Sequence, residues 1–325
     1  MLTPKSSLVV AIVISCAAFA APLSANDSPG NATPSVTPPI SMAVMGDSLN
    51  ILEQIYGKSW VYQLQQAGSI TPYVQATDGA TSDTVIADQL PTVLALAQQG
   101  TIVDSALVVG GNDLYSAAID IVNGVDPTAH LNHIVNNIEY ILSSVAAANP
   151  NVHQVVANMP DITITPLVQV FAKIYGVSDA DVQAGRNYIM QANAQIDQFA
   201  LSHGIPVFDL FTAGDVLASQ LPLDIAGVTI SNIFANNGFD ISTFPGGIFA
   251  NAMATALNLK YGQQIPLLTD QQIATNAGLT PDSATTYYDV APFVIVPEVS
   301  SLWLGCLAGV GFLFAVRKRF VAAAR

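Results

Sequence analysis

The chain has 325 residues, 51% of them hydrophobic and 10% charged, with a formal net charge of −14. All 23 acidic residues lie between Asn26 and Glu298, against four basic ones (Lys58, Lys173, Arg186 and Lys260), so this body carries −19 and repels nucleic acid and anionic lipid. The two cysteines, Cys16 and Cys306, sit in the terminal segments, which excludes disulfides and thiolate metal sites from the body.

Residues 1–25 read as a signal peptide. Lys5 is a minimal positive start, Leu8 to Ala20 is apolar, and Leu23-Ser24-Ala25 ends in small residues suited to cleavage. Val13-Ile14-Ser15-Cys16 also resembles a bacterial lipoprotein box, which would make Cys16 a lipidated terminus. Residues 26–40, rich in Pro, Ser, Thr and Asn, form a linker.

From Ser41 to Glu298 the pattern predicts one large α/β domain. Short β-rich runs are expected at Met42–Met45, Tyr73–Ala76, Ser105–Val109, His153–Ala157 and Ile205–Phe208. Helical patterns fall between them at Ser59–Ala67, Val85–Gln99, Leu131–Ala148 and Asp179–Leu201. That alternation predicts a parallel sheet with helices on both faces. Residues 215–236 read as an irregular insertion, and 267–292 as a segment running back over the body.

Three turns carry the chemistry. Gly46-Asp47-Ser48 follows the first strand, Asp78-Gly79-Ala80-Thr81-Ser82 the second, and Gly110-Gly111-Asn112-Asp113 the third. In a parallel sheet all three fall at the carboxyl edge, where open α/β folds bind ligands. The Ser48 hydroxyl, the Gly79 amide and the Asn112 side-chain amide would then share one pocket: a nucleophile and two oxyanion donors.

These blocks resemble those of the GDSL, or SGNH, hydrolases over nearly all of Ser41 to Gly262. Asn158-Met159-Pro160-Asp161-Ile162 with Thr165-Pro166 resembles the family's loop after the fourth strand, and Ala192-Asn193-Ala194-Gln195-Ile196 its late helix. The resemblance implies a three-layer α/β/α, flavodoxin-like fold and cofactor-free, metal-free hydrolysis of esters. Ser48 would be the nucleophile, with Gly79 and Asn112 completing the oxyanion hole. The substrate would be a small-molecule or polysaccharide ester.

The family's last block, Asp-x-x-His before a small apolar helix, is altered. That helix corresponds to Gly247-Ile248-Phe249-Ala250-Asn251-Ala252. Counting back the family's interval from Ala250 puts Asn237 at the Asp and Asp240 at the His. A shorter loop would instead put Asp240 at the Asp and Thr243 at the His. Neither register supplies an imidazole. The four histidines, His130, His133, His153 and His203, read as surface or boundary residues. In the first register Asp240 faces Ser48, and its shorter side chain is expected to stop beyond hydrogen-bond distance, leaving room for a water. The chain is thus a weak ester hydrolase, an acyl- or glycan-binding module that has lost its base, or a structural surface protein.

At the other end Val296-Pro297-Glu298-Val299 precedes an apolar run, Ser301 to Val316, and then Arg317-Lys318-Arg319. The run is short of the about 20 residues of a full span, and the basic cluster belongs on the cytoplasmic side. The order resembles the PEP-CTERM sorting signal, with Val299 where the second proline usually stands. It implies an exosortase-like sorting enzyme as partner and residues 299–325 as a membrane anchor on an exported, envelope-bound protein. A plain tail anchor is the alternative.

Overall fold

The computed structural model describes residues 38–54, 57–283 and 285–297. The apolar runs read as a signal and an anchor, and Cys16, lie outside them. Among the described residues no helix is long and apolar enough to cross a membrane.

The central sheet has six strands: β1 (Ile40–Gly46), β2 (Ile70–Val74), β3 (Asp104–Val108), β4 (His153–Ala157), β5 (Val207–Phe208) and β6 (Val294–Ile295). Their spatial order is β6-β5-β4-β3-β1-β2. The first five are parallel, and β6 pairs antiparallel with β5. The order of the parallel strands, 2-1-3-4-5, is the flavodoxin-like one, whose switch point lies between β1 and β3. The predicted three-layer α/β/α class is therefore the one observed.

Alternation along β1 explains the two cores. Met42 and Val44 point into one hydrophobic cluster, Ala43 and Met45 into the other, and all four are fully buried. A parallel strand covered on both faces needs such an unbroken apolar run. The first layer holds α1 (Trp60–Gln66), whose cap Ser59 accepts from the Tyr62 amide, with two later helices described below. The second holds α2 (Leu90–Gln98), α3 (Leu114–Val122), α4 (Thr128–Ala148), α5 (Pro166–Tyr175) and α6 (Asp179–Ser202). α6 opens on a capping box, Ser178 with Asp181.

The stretch read as an irregular insertion is ordered instead. α7 (Leu210–Ser219) enters it, and a hairpin pairs Leu223–Ile225 with Val228–Ile230. Its apolar residues Ile225, Ile230 and Ile233 pack on the first core, which is why a segment with weak local periodicity still adopts regular structure. The apolar helix around Ala250 is longer than its motif: α8 spans Thr243–Tyr261 and is buried nearly all round. At Gly247 an added Cβ would come within 2.7 Å of Ile273 Cγ2 and 2.8 Å of Gln63 Oε1, so only glycine lets α1 and α9 (Asp270–Asn276) close on it. The chain then runs back over the body, as expected, and adds β6 to the sheet.

Candidate active site

Ser48 stands where β1 leaves the sheet. The turn is tight: Gly46 has φ +132°, and a Cβ there would lie 1.8 Å from the Val108 carbonyl oxygen. Gln89 holds the same peptide from the other side, accepting from the Gly46 amide at 2.8 Å and donating to its carbonyl at 2.9 Å. Beneath, Asn50 donates to Val108 O and Asp47 O, and accepts from the Trp60 indole at 3.0 Å. Ser48 then opens a single turn of 3-10 helix capped by the Asp47 carboxylate.

The altered last block reaches this turn directly. Ser48 Oγ donates to Asp240 Oδ1 at 2.8 Å across 192 positions of sequence. The expectation of a gap with room for a water is thus overturned. The reason is the loop before α8. Phe234 bridges Ile241, the Ala235 amide donates to Asp240 O at 2.7 Å, and Asn237 Oδ1 accepts the Phe239 and Asp240 amides. The backbone is drawn in far enough for the short side chain to span the distance. Asn237 Nδ2 donates to Asp240 Oδ2 at 2.6 Å, so one carboxylate oxygen faces Ser48 and the other is held. Asp240 is thus the residue of this segment that contacts Ser48. Thr243, the rival for the His position, accepts from the Lys58 amide instead.

Ser48, Asp240 and Asp47 are buried together, at 7%, 5% and 3% exposure. They line a cavity of about 60 Å³ with Leu49, Phe239, Ile241 and Phe249. Burial pushes the Asp47 carboxyl up to about 7, with the charges of Asp240 and Asp113 adding to the rise and the Leu49 amide opposing it.

The three turns share the carboxyl edge, and their neighbours bind them together. Asn112 Nδ2 donates to the Ala80 carbonyl at 3.0 Å. Asp113 accepts from both the amide and the hydroxyl of Ser82. Gly111 lines the cavity beside Asp47, whereas Gly79 and Asn112 are linked through Ala80 and do not line it. Asn193 clamps Met159 through its amide and carbonyl, at 2.9 and 2.8 Å, joining the two later motifs.

None of the four histidines lines the cavity. His130 binds Asp120, His133 binds Asp83, and His203 Nδ1 donates to Phe199 O with the Ser202 hydroxyl beside it. His153 contacts Asp104 and Gln263 at the amino edge and stacks on Tyr261.

Sequence reasoning passed over Asp47, Gln89 and Asn50. The only signal for Asp47 was its place inside Gly46-Asp47-Ser48. Gln89 sits within the predicted Val85–Gln99 helix, on a π-helical turn, Val85–Gln89, whose wider winding the pattern did not mark. Among the described residues no cluster of three or more His, Cys, Asp or Glu could hold a metal ion.

No family model and no curated protein matches the chain. Solved structures do match. The lipase Lip_vut3 from a goat rumen metagenome is 12% identical, over 70% of this chain and 100% of its own, with a TM-score of 0.49. The acetyl xylan esterase AlAXEase is 16% identical, over 67% and 100%, at 0.46. Phospholipase A1 from Streptomyces albidoflavus NA297 is 17% identical, over 68% and 99%, at 0.43. Likeness at this level says nothing of what this chain acts on; the fold rests on its own strand order.

Proposed function

We propose that the chain is a serine ester hydrolase of the GDSL type in which Asp240 takes the place of the usual histidine. The observation that carries this is the 2.8 Å hydrogen bond from Ser48 Oγ to Asp240 Oδ1, in a buried cavity at the switch point of the sheet. Ser48 Oγ attacks the ester carbonyl carbon while its proton passes to Asp240. Gly79 and Asn112 are the proposed donors to the oxyanion, a role that requires the Asn112 amide to leave Ala80 O and turn toward Ser48. Collapse breaks the carbon–oxygen bond and returns the proton to the leaving alkoxide, giving an acyl-serine. A water that loses its proton to Asp240 then attacks the acyl carbon, and collapse breaks the acyl–Oγ bond, returns the proton to Ser48 Oγ and releases the acid. Asn237 fixes the carboxylate as the family's Asp would fix the imidazole. A carboxylate is a weaker base than an imidazole, so turnover at neutral pH is slow.

A second reading is a binding module that keeps the pocket without turnover. It is favoured by the Asn112 amide, which is engaged with Ala80 O outside the cavity. Initial rates on p-nitrophenyl acetate decide between them. Release that disappears in Ser48→Ala supports the hydrolase; none above the buffer rate supports the module. Export and anchoring at the envelope, with processing by an exosortase-like enzyme, rest on the terminal sequence patterns alone.

A further inference from the structure

A second, larger depression lies beside the cavity, between α3, α5 and α6. It has a volume of about 150 Å³, and its walls are almost wholly apolar, among them Ala118, Val122, Val168, Ala172 and Ile189. Several lining side chains stand in solvent: Val122 is 50% exposed, Phe171 43% and Tyr175 70%. Scattered apolar exposure needs no explanation, but a contiguous groove with such a lining marks a ligand.

Two contacts join the groove to Ser48. Ile162 lines both spaces. Tyr115, in the groove wall, stacks on Phe239 of the cavity at 5.5 Å between centroids. Tyr115 is also close enough to Asp240 for that charge, after burial, to help push its phenol up. Moreover α3, which supplies one wall, begins directly after Asn112-Asp113. The groove and the cavity at Ser48 therefore share a wall, made by Ile162 and the Tyr115–Phe239 stack.

Charge decides which occupant fits. Asp181 is the one charged residue in the groove wall, and the charged residues lining the cavity are Asp47, Asp161 and Asp240. A fatty-acid carboxylate or a phosphate head would meet like charge, and the nearby cation, Arg186, is already held by Asp161 and Asp215. A neutral ester carries an apolar tail without that cost.

We infer that the groove between α3, α5 and α6 is an acyl-chain site, and that the substrate is a neutral ester of a medium or long fatty acid with its carbonyl at Ser48. This rests on the hydrolase reading for its reacting end, but the groove is testable apart from it. On the full chain, kcat/KM for p-nitrophenyl esters rises at least about tenfold from acetate to decanoate, since each buried methylene contributes up to about fourfold. Ala118→Trp fills the groove, and Val122→Asp, at a half-exposed position that folding tolerates, places a charge in it. Each lowers the decanoate rate by about tenfold and leaves acetate within about twofold.

A binding arm uses Ser48→Ala and the neutral dye Nile red, displaced by 1-decanoylglycerol. Displaceable dye that Ala118→Trp and Val122→Asp abolish supports the inference even if no ester turns over, in which case the hydrolase reading alone falls. A flat chain-length profile with displacement unaltered by both variants overturns the inference and leaves acetate hydrolysis standing. Dye uptake by the groove that decanoylglycerol does not displace, or a groove already filled by the chain's own 301–316 run or a second copy, overturns it as well.

Discussion

In the proposed reaction the chemistry at Ser48 depends on which base takes one proton. The carboxylate of Asp240 is in contact and its second oxygen is tied by Asn237. Asp240→Asn keeps the shape and removes the base. It is expected to lower kcat on a short-chain ester by about 100-fold, the low end of what a positioned base contributes. Asp240→His with Asn237→Asp restores an imidazole oriented by a carboxylate and is expected to raise the neutral-pH rate several-fold. Activity that Ser48→Ala abolishes but Asp240→Asn leaves intact would show that another group is the base. Asp47 is the neighbour that titrates near neutrality. Its folded value of about 7 lies above the ordinary 3.8 of a free aspartate. A raised folded value means that the native state holds the proton more tightly. The stability this contributes is full below about pH 4 and is lost as pH rises through 7. Asp47→Asn removes the dependence, which spans on the order of 4 kcal/mol at most. Urea midpoints at pH 5 and 8 for both proteins check this; equal slopes with pH would reject it.

At the scale of elements, the site is a set of turns held to one another. The β1 turn is locked from three sides, by Val108 O, by Gln89 and by Asn50. Gly46→Ala drives a Cβ into the Val108 carbonyl from a backbone angle that disfavours any side chain, so a loss of about 3 kcal/mol or more is expected in chemical denaturation. Gln89→Ala deletes two buried hydrogen bonds and takes the Gly46 amide's partner away, while the Gly46 carbonyl keeps the Thr77 amide, for a loss of about 2 kcal/mol and a misplaced Ser48. If Gln89→Ala kept full stability, the clamp would be incidental. Four of the six strands and several of the longer helices were legible beforehand because each repeats its own period locally, and β4 and α4 lie where their apolar spacing put them; β2 begins at Ile70 rather than Tyr73, and the two-residue β6 was not read. α3, α5, α7 and α9 were not picked out. They are short, and their helicity draws on packing against elements distant in sequence rather than on propensity.

At the scale of the whole molecule, carboxylates dominate. Besides Asp47, burial raises Asp104 and Asp197 to about 6, the first at the amino edge beside His153 and Gln263, the second beside Asp209. All three shifts have the same sign, so their contributions are present at low pH and fade between about pH 4 and 7. The net negative charge, which grows over the same interval, adds self-repulsion. The melting temperature is therefore expected to be higher at pH 5 than at pH 8, with Asp47→Asn flattening part of that difference. A melting temperature that climbs from pH 5 to 8 would contradict the assignment of these groups as protonated in the fold.

The sequence alone determined the layered α/β class, the order of the turns and the place of Ser48, Gly79 and Asn112 on them. It did so because alternating apolar runs and glycine-bearing turns are local properties, and parallel strands must put their following turns on one edge. It also showed that no histidine lies between Asn237 and Ala252. Tertiary structure decided what stands there instead. The Ser48–Asp240 contact spans 192 positions, and its length depends on how far the loop before α8 is drawn in by its own hydrogen bonds. The protonation of Asp47 and the groove beside the cavity likewise depend on what surrounds each residue. Burial and the meeting of distant helices belong to the packed molecule and leave no local pattern along the chain.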